Sequence, residues 1–110
     1  MNTDATAEQK LYTALANLPP QTVVTYGQLA ELAGYPRRAR WVGQILKRLP
    51  KDTQLPWYKV INAQGKISFP AGSEAAERQA QKLIAEGIEV DNNYRINLKR
   101  YGLYAKADDA

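Results

Sequence analysis

Apolar residues near the start of the chain recur with the period of a helix. Leu11, Ala14, Leu15 and Leu18 fall at i, i+3, i+4 and i+7, and Thr6 with Gln9 forms a T-x-x-Q capping box ahead of them. The spacing predicts a first helix, stopped by Pro19 and Pro20, which cannot continue it. A short extended run, Thr22-Val23-Val24, leads to a second capping box, Thr25 with Gln28. Leu29, Ala30, Leu32 and Ala33 supply the apolar side of a helix of two to three turns, and Gly34 suits the left-handed residue that closes it.

After the turn Gly34-Tyr35-Pro36, residues 39–49 read as a third helix with two unlike faces. Val42, Ile45, Leu46 and Leu49 keep the apolar spacing, whereas Arg37, Arg40, Gln44, Lys47 and Lys51 lie about 180° away at 100° per residue. Gly43 sits beside that second stripe, where a missing side chain lets another surface come close. Trp41 reads as packing support for the turn. Two short helices joined by a Gly-containing turn, the second of them cationic on its outer face, have the pattern of a helix-turn-helix. An ordinary solvated helix face looks the same in one sequence, and the pattern alone leaves both readings open.

Farther on, the pattern alternates. Tyr58 to Phe69 gives two short extended runs around Asn62-Ala63-Gln64-Gly65, which predicts a β-hairpin with Gly65 at positive φ, a wing for the helix-turn-helix. Phe69-Pro70-Ala71-Gly72 is a loop, Ser73 a helix N-cap, and Ala76, Ala80, Leu83 and Ile84 the inner face of a fourth helix ending at Glu86-Gly87. The tail from Ile88 to Tyr104 is partly extended and aromatic and is expected to pack back, with residues 105–110 frayed. The expected fold is mainly α with a small β-hairpin: a winged helix-turn-helix forming a single domain over residues 1–110, its core about 6–104.

Composition narrows the chemistry. At 110 residues there is room for one core and no separate catalytic domain. Cysteine and histidine are both absent, which removes disulfides, thiolate nucleophiles, Cys/His zinc sites and imidazole acid–base catalysis. No cofactor and no metal is expected. A mean hydropathy of −0.51 and the lack of a long apolar run or basic leader predict a cytoplasmic protein without a membrane partner. The net charge of +4 favours an anionic partner, and six of the fifteen basic residues crowd between Arg37 and Lys51.

The segment VVTYGQLAELAGYPRRARWVGQIL followed by LPWYKVI resembles the DNA-binding, active-site domain of O6-alkylguanine-DNA alkyltransferases. The spacings of the family pattern T-Y-G-x-[LI]-A, then G-x-P-x-A-[AV]-R-x-V-G, then a proline-rich link into P-C-H-R-V, agree here without a gap, and the resemblance runs roughly from Leu11 to Tyr104. At the reactive cysteine stands Trp57, at the histidine Tyr58 and at the arginine Lys59, with Pro56 and Val60 kept. Leu49 replaces the family's asparagine, Pro70-Ala71 its Tyr-Ser pair, and Glu86 matches the glutamate of its E-G signature. A tryptophan at the cysteine is similar to the alkyltransferase-like proteins, which bind alkylated guanine without repairing it.

The resemblance implies a protein that is not an enzyme: a DNA damage sensor that binds O6-alkylguanine in duplex DNA from the minor groove, flips the base and signals nucleotide excision repair proteins, acting as a monomer. Tyr26 and Arg40 are the implied base-flipping pair, the first against the phosphate beside the target, the second in the place of the extruded base. Trp57, Tyr58, Val60 and Ala71 are the implied lesion pocket, while Arg37, Gln44, Lys47 and Lys51 are candidates for the DNA backbone. Two other readings remain open, a winged-helix regulator without lesion specificity and an enzyme using Lys59 as a Schiff-base nucleophile.

Overall fold

The computed structural model describes residues 6–104. Its internal contacts gather into two units interleaved along the chain, one of Met1–Leu18 with Tyr26–Trp57 and one of Pro19–Thr25 with Tyr58–Ala110.

The first unit is helical. Helix α1 (Ala7–Ala16) starts at the expected capping box: the Thr6 hydroxyl accepts the Gln9 N–H at 3.1 Å and Gln9 Oε1 accepts the Thr6 N–H at 2.9 Å. Leu11 and Leu15 of the predicted stripe are fully buried, while Ala14 and Leu18 are half-buried. Helix α2 (Tyr26–Leu32) buries Leu29 and Ala30, but Leu32, also expected inside, is 44% exposed. Gly34 closes α2 at φ 96°, with its N–H on the Glu31 carbonyl and the Tyr35 N–H on that of Ala30. These two bonds are a Schellman motif, which needs a left-handed residue at the position Gly34 holds.

Helix α3 (Ala39–Lys47) packs on α2 in a helix-turn-helix arrangement. It ends two residues before the expected Leu49, with Arg48 as its C-cap. Val42 and Ile45 are buried, as the apolar stripe requires, and Leu46 is half-buried. The turn before it is braced by Trp41, whose ring meets Tyr35 edge-on at 5.4 Å between centroids. Gly43 faces the Tyr26 ring, and a methyl group placed there would lie 3.9 Å from Cε1. That is ordinary contact, so a methyl group would fit at Gly43 against the Tyr26 ring without a clash.

In the second unit, strand β1 (Val24–Thr25) pairs with β2 (Val60–Ile61) in parallel, Val24 opposite Val60 and Thr25 opposite Ile61. This corrects the expected hairpin. Val60 and Ile61 are both buried, which suits a strand covered on two faces better than the alternation of a hairpin arm. Asn62 turns the chain tightly, its Oδ1 accepting the N–H groups of Gln64 and Lys66 at 3.0 Å each. The second predicted arm then pairs elsewhere: Lys66 bridges Arg95 antiparallel, with bonds from the Ile67 N–H to the Tyr94 carbonyl and from the Ile96 N–H to that of Gly65. Gly65 does have the expected positive φ, 81°.

Helix α4 (Glu74–Ala85) begins at Ser73, whose hydroxyl accepts the Ala76 N–H at 3.1 Å. Its buried stripe is Ala76, Gln79, Ala80 and Leu83, at i, i+3, i+4 and i+7. Ile84, predicted inside, falls one step past that stripe and is 48% exposed, while the polar Gln79 takes an inner place at 3%. A second Schellman motif ends α4, with Gly87 at φ 91° and the Ile88 N–H on the Leu83 carbonyl. The tail packs back as expected: Ile88, Ile96 and Tyr101 join Val23, Ile61, Ile67 and Leu83 in one core, and α5 (Leu98–Tyr101) is capped by the Asn97 side chain. Residues 105–110, expected to fray, lie outside the described residues. No helix among the described residues is long and apolar enough to cross a membrane.

Candidate functional site

The first unit carries the cationic face. Arg40, Gln44 and Lys47 are exposed at i, i+4 and i+7 of α3, on the side away from buried Val42 and Ile45. Arg37 and Lys51 extend this set from the turns on either side of α3, and both are exposed. Arg37 has φ 65°, an uncommon conformation for a residue with a long side chain. Arg48 instead reaches Glu8 at 3.7 Å, an exposed pair of little energetic weight. Tyr26 opens α2, partly buried against Gly43 of α3. A tyrosine and an arginine are thus anchored on two packed helices, and the arginine's guanidinium side stays exposed.

Trp57 closes the first unit and is half-buried, in the first position of a 3₁₀ turn, Trp57–Lys59. Tyr58, Lys59 and Val60 belong to the second unit, where polar groups hold them firmly. Val60 is 1% exposed in β2, its surface spent in the sheet. Lys59 is 3% exposed, and its ammonium donates to the Pro19 carbonyl at 2.7 Å while lying 3.0 Å from a Glu86 carboxylate oxygen. Glu86 also accepts the Tyr58 hydroxyl at 2.9 Å and the Gln21 N–H at 3.1 Å. One carboxylate therefore gathers three donors from two segments, and the Schellman turn at Gly87 sets it at the end of α4.

Electrostatics follow from this crowding. Burial pushes the Glu86 carboxyl up, but hydrogen bonds from Lys59, Tyr58 and the Gln21 N–H, with the Lys59 charge, outweigh it and hold the group below its ordinary 4.5. Burial, then the hydrogen bond and charge of Glu86, raise the Tyr58 phenol above its ordinary 10.0. Tyr58 is therefore a neutral donor to Glu86 in the physiological range, and Lys59 is committed to a carboxylate and a carbonyl.

Gln79 completes the support. Its amide donates to the carbonyls of Tyr58 at 2.9 Å and Val60 at 3.1 Å, on either side of Lys59. Replacing it by leucine keeps the volume and leaves two carbonyls without that donor, so Gln79→Leu is expected to cost about 1–2 kcal/mol in urea denaturation. The sequence suggests that Glu86 pairs with a basic neighbour but does not identify it as Lys59, and it does not single out Gln79. A signal for Gln79 existed, because it occupies i+3 from Ala76 on an otherwise apolar stripe. Ala71, the remaining predicted pocket residue, lies in an exposed loop of the second unit. The structure thus gathers Tyr26, Arg37, Arg40, Gln44, Lys47, Lys51 and Trp57 in one unit and Tyr58, Val60 and Ala71 in the other.

Comparison with known proteins meets this arrangement. A family model described as the DNA binding domain of 6-O-methylguanine DNA methyltransferase matches residues 6–88. The chain is 46% identical to the DNA base-flipping protein of Vibrio parahaemolyticus, over 84% of this chain and 90% of that one. It is 40% identical to alkyltransferase-like protein 1 of Schizosaccharomyces pombe, over 84% of this chain and 89% of the other. The crystal structure of S. pombe Atl1 in complex with damaged DNA containing O6-carboxymethylguanine superposes with a TM-score of 0.80 at 38% identity, covering 87% of this chain and 93% of that one.

Proposed function

Because the chain belongs to the family of the DNA binding domain of 6-O-methylguanine DNA methyltransferase, we propose that it is a lesion sensor, which holds O6-alkylguanine turned out of duplex DNA and leaves the alkyl group in place. The observation that carries this reading is the tryptophan at position 57 in a chain without cysteine or histidine, with Tyr26 and Arg40 kept in register. Alkyl transfer needs a nucleophile to accept the group, and the motif that would supply a thiolate has none. Finding and turning a base needs a phosphate lever and something to fill the stack, and Tyr26 and Arg40 are assigned those roles.

In this reading Arg40, Gln44, Lys47, Arg37 and Lys51 meet the duplex along the minor groove, where sequence information is degenerate and a reader of damage loses little by ignoring it. Arg40 occupies the gap left by the extruded base; its planar guanidinium stacks and donates in one group. Trp57, Tyr58, Val60 and Ala71 are the residues assigned to the base itself, with Tyr58 and Val60 acting through the backbone they fix. The complex is assigned to a monomer in the cytoplasm, and its bound form is assigned the role of a signal to nucleotide excision repair proteins.

Titration of the protein with matched duplexes, one carrying O6-methylguanine and one unmodified, tests this. The lesion duplex is expected to bind more tightly and to change the tryptophan fluorescence, and Trp57→Phe is expected to remove most of that change while Trp41 remains. Equal affinity for the two duplexes would sink the reading and favour a regulator that reads ordinary DNA.

A further inference from the structure

The loop of residues 68–72 joins the turn after β2 to α4, and every residue in it is exposed. Phe69, Pro70, Ala71 and Gly72 offer no hydrogen-bonding side chain, so beyond the Ser68 hydroxyl any polar contact this loop makes comes from its backbone. A backbone donor can select a ligand only where the loop holds one conformation. Within the loop, the Ser73 N–H on the Pro70 carbonyl at 3.1 Å closes a single turn. The remaining restraint comes from far along the chain. The Tyr94 hydroxyl accepts the Gly72 N–H at 3.2 Å and donates to the Glu77 carboxylate on α4.

The position of Tyr94 is itself built. Its backbone lies at φ 60°, rarely adopted by a bulky side chain. An Asp91 turn imposes this: the Tyr94 N–H donates to the Asp91 carbonyl at 3.0 Å, and Asp91 Oδ1 accepts the N–H groups of Asn93 at 2.8 Å and Arg95 at 2.9 Å. Its own carbonyl is taken by the Ile67 N–H, one residue before the loop, and its ring packs on the core of the second unit. An aromatic residue held in a conformation suited to glycine or asparagine is explained by what its side chain reaches. Here that is the loop amide on one side and the helix on the other.

We propose that Tyr94 is a positioning residue for lesion recognition, locking the loop of residues 68–72 through Gly72 and Glu77 so that the backbone at Ala71 is presented in one fixed geometry. This rests on the functional reading above, which assigns Ala71 to the lesion. It also accounts for a departure in the loop: where the resembled family carries a Tyr-Ser pair, this chain has Pro70-Ala71, and a phenol from the C-terminal segment orders the loop from behind.

The test pairs a local readout with a functional one on the full chain. Tyr94→Phe keeps the ring and removes only the hydroxyl; it is expected to speed exchange of the Gly72 amide by about tenfold in NMR hydrogen exchange. It is also expected to lower the ratio of affinities for O6-methylguanine and unmodified duplexes by about fivefold, with affinity for the unmodified duplex within about twofold of wild type. Glu77→Gln, which still offers the phenol an oxygen, is expected to keep both readouts near wild type. An unchanged Gly72 exchange rate in Tyr94→Phe overturns the lock, and a faster rate with an unchanged affinity ratio overturns its role in recognition. A wild-type protein that does not prefer the lesion duplex overturns the functional reading instead, with the exchange rate still deciding the lock.

Discussion

Glu86→Ala is expected to lower the free energy of unfolding by about 2–4 kcal/mol, read as a shift of the urea midpoint at neutral pH. Lys59 is 3% exposed, and removing its carboxylate leaves an ammonium in the interior with the Pro19 carbonyl as its acceptor among the described residues. Breaking a fully buried pair in this way costs about 3–5 kcal/mol. The Glu86 side chain is 22% exposed, so solvent shares part of the charge and the lower range applies. The double variant Lys59→Met with Glu86→Ala is expected to be more stable than Glu86→Ala alone, because no charge is left stranded. A double variant that is less stable than both single ones would show that the pair is not the source of the loss.

The effect has a defined pH window. The Glu86 carboxyl is held below its ordinary 4.5, so the native state favours its charged form. Its contribution is complete above that ordinary value and disappears as pH falls through the lower, folded value. The stability gap between wild type and Glu86→Ala is therefore expected to be constant around neutrality and to narrow as acid protonates the carboxylate. Urea titrations at neutral and at strongly acidic pH measure it.

Arg40→Ala is expected to reduce the preference for lesion over unmodified duplex by about tenfold to a hundredfold. Unstacking a base costs a few kcal/mol, and a planar cation in the gap recovers part of it; a loss of about 1.4–2.8 kcal/mol from the flipped complex is that factor. The side chain is exposed in the first turn of α3 and alanine is a better helix former, so the fold is not expected to suffer. Lys47→Ala is the contrast. It removes an exposed charge from the same face and is expected to weaken every duplex alike, lowering the slope of log K against log salt by about 0.9 with the preference intact. Competition binding over a salt series separates the two, and an Arg40→Ala protein that loses affinity equally for both duplexes would place Arg40 with the phosphate contacts.

Much of the helical framework could be read residue by residue. The Thr6–Gln9 box, the Ser73 cap and the closing glycines at 34 and 87 depend on groups within five residues of one another, so local chemistry determines them. The two faces of α3 follow from its period for the same reason. The errors lie where a partner had to come from a distance. Val60 and Ile61 looked like one arm of a hairpin, since the turn at Asn62 is local, yet their strand partner lies at Val24 and Thr25. Ile84 is apolar and so reads as buried, whereas the carbonyls of Tyr58 and Val60 claim the inner place for Gln79.

The candidate site divides along the same line. Tyr26, Arg40 and Trp57 are proposed from a motif in register, Arg40 from the helical period as well, and the absence of a thiol is plain from composition. Periodicity, capping residues and composition thus specify the helices, the cationic face and the absence of a thiol. How the motif around Trp57 is held follows from contacts between distant segments: Glu86 collecting Tyr58, Lys59 and the Gln21 amide, Gln79 bridging two carbonyls, and Tyr94 joining a loop to a helix 17 residues away. Buried polar groups must find partners wherever folding brings them, and those partners lie too far along the chain for any period or cap to announce.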